Sequence, residues 1–150
     1  MTSKPYIIAE IASAHEGNFN LLRKLSNAAI KSHADAVKFQ IFKRDELIAS
    51  TNPLYTEFEE IEINSNKWKI IFNEFKRKKI DVIYEIFDYE SISLVENFRG
   101  AIKIPSASIT DKKFLKKISS LKRRVFLAVG GSNINEISNA IKILKAEKVN

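Results

Sequence analysis

The sequence predicts an α/β fold of the (β/α)8 TIM-barrel type, here about the first five β/α units of an incomplete barrel. Three observations predict it. Short apolar, β-branched runs alternate with longer amphipathic stretches, the rhythm of parallel strands joined by right-handed crossovers. No glycine-rich fingerprint follows the first run: "EIASAHEGN" lacks the spacing that a dinucleotide-binding doubly wound sheet needs, and the chain has only 4 glycines. Polar residues also collect at the C-terminal ends of the apolar runs, where barrels place their chemistry.

The elements follow in order. "YIIAEIA" (6–12) reads as the first strand. "NLLRKLSNAAIKS" (20–32) puts Leu22, Leu25 and Ala29 on one stripe and reads as a helix. "DAVKFQIF" (35–42) is the second strand, with Lys38 and Gln40 set among Ala, Val, Phe and Ile. Residues two apart in a strand share a face, so an amine and an amide point together into an interior. Residues 43–64 read as a polar insertion on the side where barrel enzymes build their sites. "SNKWKIIFNEFKRKK" (65–79) is a helix capped by Ser65, burying Trp68, Ile71, Phe72 and Phe75. "IDVIYEIF" (80–87) is the third strand and "SISLVENF" (91–98) a short helix, for which Asp88 can serve as the cap. "GAIKIPS" (100–106) is the fourth strand, after which Thr110 caps "DKKFLKKISSL" (111–121). "RVFLAVGG" (124–131) is the fifth strand, and "NEISNAIKILKAE" (135–147) the last helix.

Composition narrows the function. At 150 residues, 45% hydrophobic and 29% charged, the chain can bury a proper core and is not disordered. It has no cysteine, which removes disulfides, thiolate metal sites and a thiol nucleophile. No segment approaches the length of a membrane span and the start does not read as a signal peptide, so the expected place is the cytoplasm. The net charge of +7 raises nucleic acid as a partner. Of the basic runs "KRKK", "KKFLKK" and "KRR", the first ends a helical pattern and the last sits just before a strand; no aromatics interleave with these two, and the basic excess reads as a solvated outer face. A full barrel needs about 200 residues or more, so an open strand edge is expected, to be covered by something else.

Glu10, His15 and Glu16 lie at or beyond the end of the first strand. Lys38 and Gln40 end the second, Glu85 and Asp88 close the third, and Lys103, Ser106 and Ser108 follow the fourth. Amines in a barrel mouth cost several kcal/mol each if left unpaired. Around a small anion they make sense: ammonium groups hold a phosphate or carboxylate while amide and hydroxyl groups orient it. The plainer alternative is structural pairing, Glu10 with Lys38 and Glu85 with Lys103. His15, in a loop, reads as polar surface.

The blocks "IIAEIASAHEGN", "ADAVKFQIFK", "IKIPSASIT" and "FLAVGGSNINEI" resemble, in order and spacing, the N-terminal part of the N-acetylneuraminate (sialic acid) synthase family. The resemblance implies a (β/α)8 barrel followed by an antifreeze-like C-terminal domain, the later barrel units and that domain being absent from these residues. It implies a transferase that condenses phosphoenolpyruvate with an N-acetylated aldose, N-acetylmannosamine or a relative. The products are a nine-carbon 2-keto sugar acid and phosphate, for surface polysaccharide biosynthesis. It further implies a divalent metal, Mn2+ or Mg2+, held by ligands beyond Asn150. From the residues themselves, the expected partners are small-molecule substrates and, across the open strand edge, a second copy of the chain as a homodimer, without nucleic acid or membrane.

Residue by residue, the resemblance gives Lys38 and Lys103 the phosphate and carboxylate of phosphoenolpyruvate, with a hydrogen bond from Ser106. Gln40 would touch the sugar and Glu10 would serve as an acid–base or orienting group at the reacting centre. The departures mark a divergent subgroup. Ser108 stands where the family has a catalytic glutamate, and Glu85 replaces a threonine of its third strand. Ala128 replaces a serine, and Ala14 an asparagine. A divergent barrel enzyme on another sugar or sugar phosphate is the alternative, as is a non-catalytic sugar- or anion-binding protein.

Overall fold

The computed structural model describes residues 4–146. Five parallel strands form one sheet in the order β1-β2-β3-β4-β5, comprising β1 (Ile8–Glu10), β2 (Ala36–Ile41), β3 (Asp81–Ile86), β4 (Ala101–Ile104) and β5 (Val125–Leu127). Spatial order equals chain order and never reverses, so each right-handed crossover brings its helix to the same face. That is the winding of a barrel wall; a doubly wound sheet reverses at a switch point.

Strand alternation then divides the sheet chemically. Val37, Phe39 and Ile41 of β2, Val82, Tyr84 and Ile86 of β3, and Ile102 and Ile104 of β4 belong to a single core with Leu22, Trp68, Phe72, Ile92, Phe114 and Ile118 from the helices. Each such side chain contributes about 1.5–3 kcal/mol by leaving water. Lys38, Gln40, Glu85 and Lys103 occupy the intervening positions, so they share the opposite face.

The helices are α1 (Phe19–Lys31), α2 (Arg44–Leu47), α3 (Tyr55–Ile61), α4 (Ser65–Phe75), α5 (Tyr89–Val95), α6 (Lys112–Ser120) and α7 (Ile134–Lys145). Two expected caps move by one residue. The cap of α4 is Asn64 rather than Ser65, its side chain accepting from the Asn66 amide at 2.7 Å. The cap of α6 is Asp111 rather than Thr110, accepting from Lys113 and Phe114 at 3.0 and 2.9 Å. Asn64 and Asp111 carry the non-helical ψ of 140° and 93° on which a capping side chain depends. Asp88 caps α5 as expected, accepting from the Ser91 amide at 2.7 Å. Asn133 and Glu136 close a reciprocal capping box at the start of α7. Glu147, expected in that helix, lies outside the described residues.

The edge strands are shorter than their apolar runs. The run at 6–12 yields only Ile8–Glu10, because Ala12 turns the chain at φ 47°; the run at 124–131 yields only Val125–Leu127. Each edge strand has one hydrogen-bonded neighbour, whereas β2 and β3 have two. Helix α4 ends at Phe75, four residues before the expected end, since the exposed run of residues 76–79 offers nothing to bury.

The insertion at 43–64 is more ordered than a loop. It holds α2 and α3, pinned by Phe58 edge-on to Phe42 at 5.6 Å and by Arg44 lying 4.2 Å over the Tyr55 ring. Helix α3 presses on the β1–α1 turn so closely that a Cβ on Gly17 (φ 69°) would come 1.8 Å from the Glu60 carbonyl oxygen. Only glycine fits there.

Candidate active site

The parallel register sets the site. Glu10 lies beside Lys38, Gln40 beside Glu85, and Glu85 beside Lys103. Four adjacent strands therefore bring five polar side chains to one place near their C-terminal ends. The Glu85 carboxylate is the hub, only 3% exposed. One of its oxygens accepts from Lys103; the other lies 3.2 Å from the Lys38 ammonium and 3.3 Å from the Gln40 amide nitrogen. Lys38 also pairs with Glu10 on its outer side. The side chains of Lys38, Lys103 and Glu10 are 15%, 25% and 39% exposed, so the cluster grades from a dry centre to a wet rim.

Its electrostatics follow. Burial alone would push the Glu85 carboxyl up. Hydrogen bonds from Lys103 and Gln40, with the charges of Lys38 and Lys103, outweigh burial and hold it below the usual glutamate value. Burial likewise opposes the charge on Lys38, yet Glu10 and Glu85 raise that ammonium above the usual lysine value. Lys38 is thus a cation and Glu85 an anion at neutral pH. The two amines expected to flank an anion do converge, and the anion between them is the protein's own. The structural pairings weighed in the sequence both form.

Ser106 and Ser108 stand in a single 3-10 turn just beyond β4, both partly buried. Among the described residues no hydrogen bond ties either hydroxyl to the Glu85 cluster. The site so assembled is Glu10, Lys38, Gln40, Glu85 and Lys103.

Residues 25–150 match the NeuB family. The chain belongs to the NeuB family. It is 33% identical over 156 residues to the N,N'-diacetyllegionaminic acid synthase of Campylobacter jejuni strain NCTC 11168, covering 94% of this chain and 47% of that protein. The pseudaminic acid synthase of Campylobacter jejuni strain 81-176 is 26% identical over 160 residues, covering 97% of this chain and 47% of the relative. The chain spans about half the length of the curated relatives it matches. In fold it superposes on the N-acetylneuraminic acid (sialic acid) synthetase of Leptospira borgpetersenii with a TM-score of 0.87 at 24% identity, over 95% of this chain and 50% of the other. The DAHP synthase of Thermotoga maritima follows the same fold, with a TM-score of 0.71 at 11% identity over 96% of this chain and 39% of the other. The partial TIM-type barrel expected from the sequence is therefore the observed fold.

In this NeuB-family chain, His15 departs from expectation. It is 1% exposed rather than on the surface, with Nδ1 accepting from the Gly17 amide at 3.1 Å and the ring set edge-on to Trp68 at 5.9 Å. The surrounding signal was the glycine two residues on, which lets the turn fold the ring inward. Burial pushes its imidazole below the ordinary histidine value. The folded state thus keeps His15 neutral while the unfolded chain takes a proton near pH 6.5. Stability is complete above that pH and falls, by at most about 1.4 kcal/mol per pH unit, as the pH drops toward the folded value. Thermal midpoints across this range should show that slope in the wild type and lose it in His15→Asn, whose side-chain oxygen can replace Nδ1 as the acceptor.

The NeuB-family barrel also has a charged wall that the sequence did not reveal. The Lys43 ammonium and the Arg44 amide both reach Glu62, at 2.8 and 2.9 Å, and the Arg44 guanidinium reaches Asp45 and Glu59 at 2.9 and 2.8 Å. Asp88, besides capping α5, accepts from the Lys43 amide at 2.8 Å; its burial raises its carboxyl despite these hydrogen bonds. These contacts anchor the β2–α4 insertion beside the strand ends. The two cations followed by two anions in "KRDE" after β2 were the available signal. Among the described residues no group of three or more His, Asp or Glu side chains stands together as a metal site. The divalent ion that the resemblance implies therefore finds no ligand set on them.

Proposed function

We propose that the protein acts as a sugar acid synthase of the sialic, legionaminic and pseudaminic type. It condenses phosphoenolpyruvate with an N-acylated aldose such as N-acetylmannosamine, and the Glu10–Lys38–Gln40–Glu85–Lys103 cluster supplies part of the substrate site. The supporting observation is the meeting of two ammonium groups, from alternate strands, at the C-terminal ends of a parallel barrel wall. Fixed cations at that place stabilise a substrate that carries a phosphate and a carboxylate, and they cost no reorganisation when the reaction occurs.

In this reading Lys38 and Lys103 hold the anionic groups, Ser106 donates a hydrogen bond to them, and Gln40 orients the sugar. Carbon 3 of phosphoenolpyruvate forms a bond to the aldehyde carbon, and the aldehyde oxygen takes a proton. Water adds at carbon 2 and gives up a proton. The carbon–oxygen bond to phosphate then breaks as the new hydroxyl on carbon 2 loses its proton to the departing phosphate, leaving the 2-keto acid. Glu10 moves one of these protons in this reading, which its partly exposed position beside Lys38 supports. The full-length protein should release inorganic phosphate from phosphoenolpyruvate only when an N-acylated hexose and manganese are present. Folded protein that consumes no phosphoenolpyruvate with any such sugar overturns the proposal.

The position of Glu85 favours one second reading, a divergent barrel enzyme acting on another sugar or sugar phosphate. Its carboxylate neutralises the lysines that phosphoenolpyruvate would need. Calorimetric titration with phosphoenolpyruvate and with several sugar phosphates separates the two readings by which ligand binds.

A further inference from the structure

The cluster is electrically balanced: two ammonium groups face two carboxylates. An anion that reaches Lys38 and Lys103 meets Glu85 already between them, with both carboxylate oxygens engaged. Glu85 is one of the least exposed ionisable side chains among the described residues and is held on a central strand. Two anions sharing one partly buried pair of cations repel each other; the usual resolution is that one of them takes a proton.

We infer that Glu85 determines specificity in this site: Lys38 and Lys103 accept an external anion only as Glu85 takes up a proton from solvent. This rests on the anion site proposed above. The charged and titratable groups facing Glu85 are few. Strand β1 brings Glu10, through Lys38; β2 brings Lys38 and the neutral Gln40; β4 brings Lys103. Strand β5 places the uncharged Phe126 beside Lys103. Glu10 sits at the wet rim on the far side of Lys38, so Glu85 is the acid placed to respond. Once protonated, it donates a hydrogen bond to the incoming anion while its other oxygen still accepts from Gln40. The low titration point of Glu85 in the free protein means that this proton is absent at neutral pH and must be acquired on binding. Fully ionised anions should therefore bind best in mild acid.

Sulfate tests this, because its own charge is constant between about pH 5 and 8. Calorimetry on the full-length protein, in buffers of different ionisation heat, should find about one proton taken up per sulfate bound. Affinity should fall about tenfold for each pH unit of increase. Glu85→Gln should bind sulfate with no proton uptake and an affinity independent of pH, exceeding the wild type at pH 8; Glu85→Thr gives the same reading if the glutamine variant fails to fold. Wild-type binding without proton uptake, matched by unchanged affinity in the variants, overturns the role of Glu85 and leaves the anion site standing. No sulfate binding by any folded form overturns both.

Discussion

Replacing Lys38 with methionine is expected to lower kcat/KM for phosphoenolpyruvate by at least about 100-fold, the size of effect that losing one preset charge-stabilising group produces. Methionine keeps much of the stem and removes the charge. The fold should survive. Glu85 retains Lys103 and Gln40 as partners, and Glu10, already 39% exposed, can turn to water. Phosphate release measured beside a thermal melt checks both halves of the expectation. A variant that unfolds, set against a wild type without anion affinity, would make Lys38 a structural residue and remove the proposed site.

The largest stability effect is expected at Phe72, on the opposite face of the same sheet. Its ring is 1% exposed and packs at centroid distances of 4.9 Å from Tyr84, 5.1 Å from Phe98, 5.6 Å from Trp68 and 6.1 Å from Phe39. Phe72→Ala should cost about 3–5 kcal/mol, the usual range for removing a buried aromatic ring. Typical domains are stable by only about 5–15 kcal/mol, so that loss is a large share. Urea denaturation of the two proteins, comparing midpoints at equal slope, measures it. Phe39 and Tyr84 alternate with Lys38, Gln40 and Glu85 along β2 and β3, so anion affinity should weaken in Phe72→Ala. Phe72→Leu, which refills much of the space, should recover part of both losses.

Much of the site was legible because strand periodicity leaves little choice. Once "DAVKFQIF" is a strand, Lys38 and Gln40 share a face, and "YEI" and "IKI" put Glu85 and Lys103 in the same situation. Side-chain partners were less legible. Nothing local says that Glu85 aligns with Gln40 and Lys103 rather than one pleat away. That alignment comes from the register between strands whose paired residues lie 45 and 18 positions apart in the chain. His15 illustrates the same limit. A loop histidine is usually exposed, and only the packing of the first turn under Trp68 buries it. The helices at 44–47 and 55–61 were missed because their apolar content is small and their anchors, Phe42, Arg44 and Glu62, act across the insertion.

The sequence by itself determined the alternation of strands and helices, the family, and the set of amine, amide and carboxylate groups at the strand ends. Periodicity and residue type are local properties, and a single chain displays them. Long-range packing settled that the two lysines share Glu85 and that His15 is buried. Those outcomes depend on register and burial, which arise only when segments distant along the chain exclude water together.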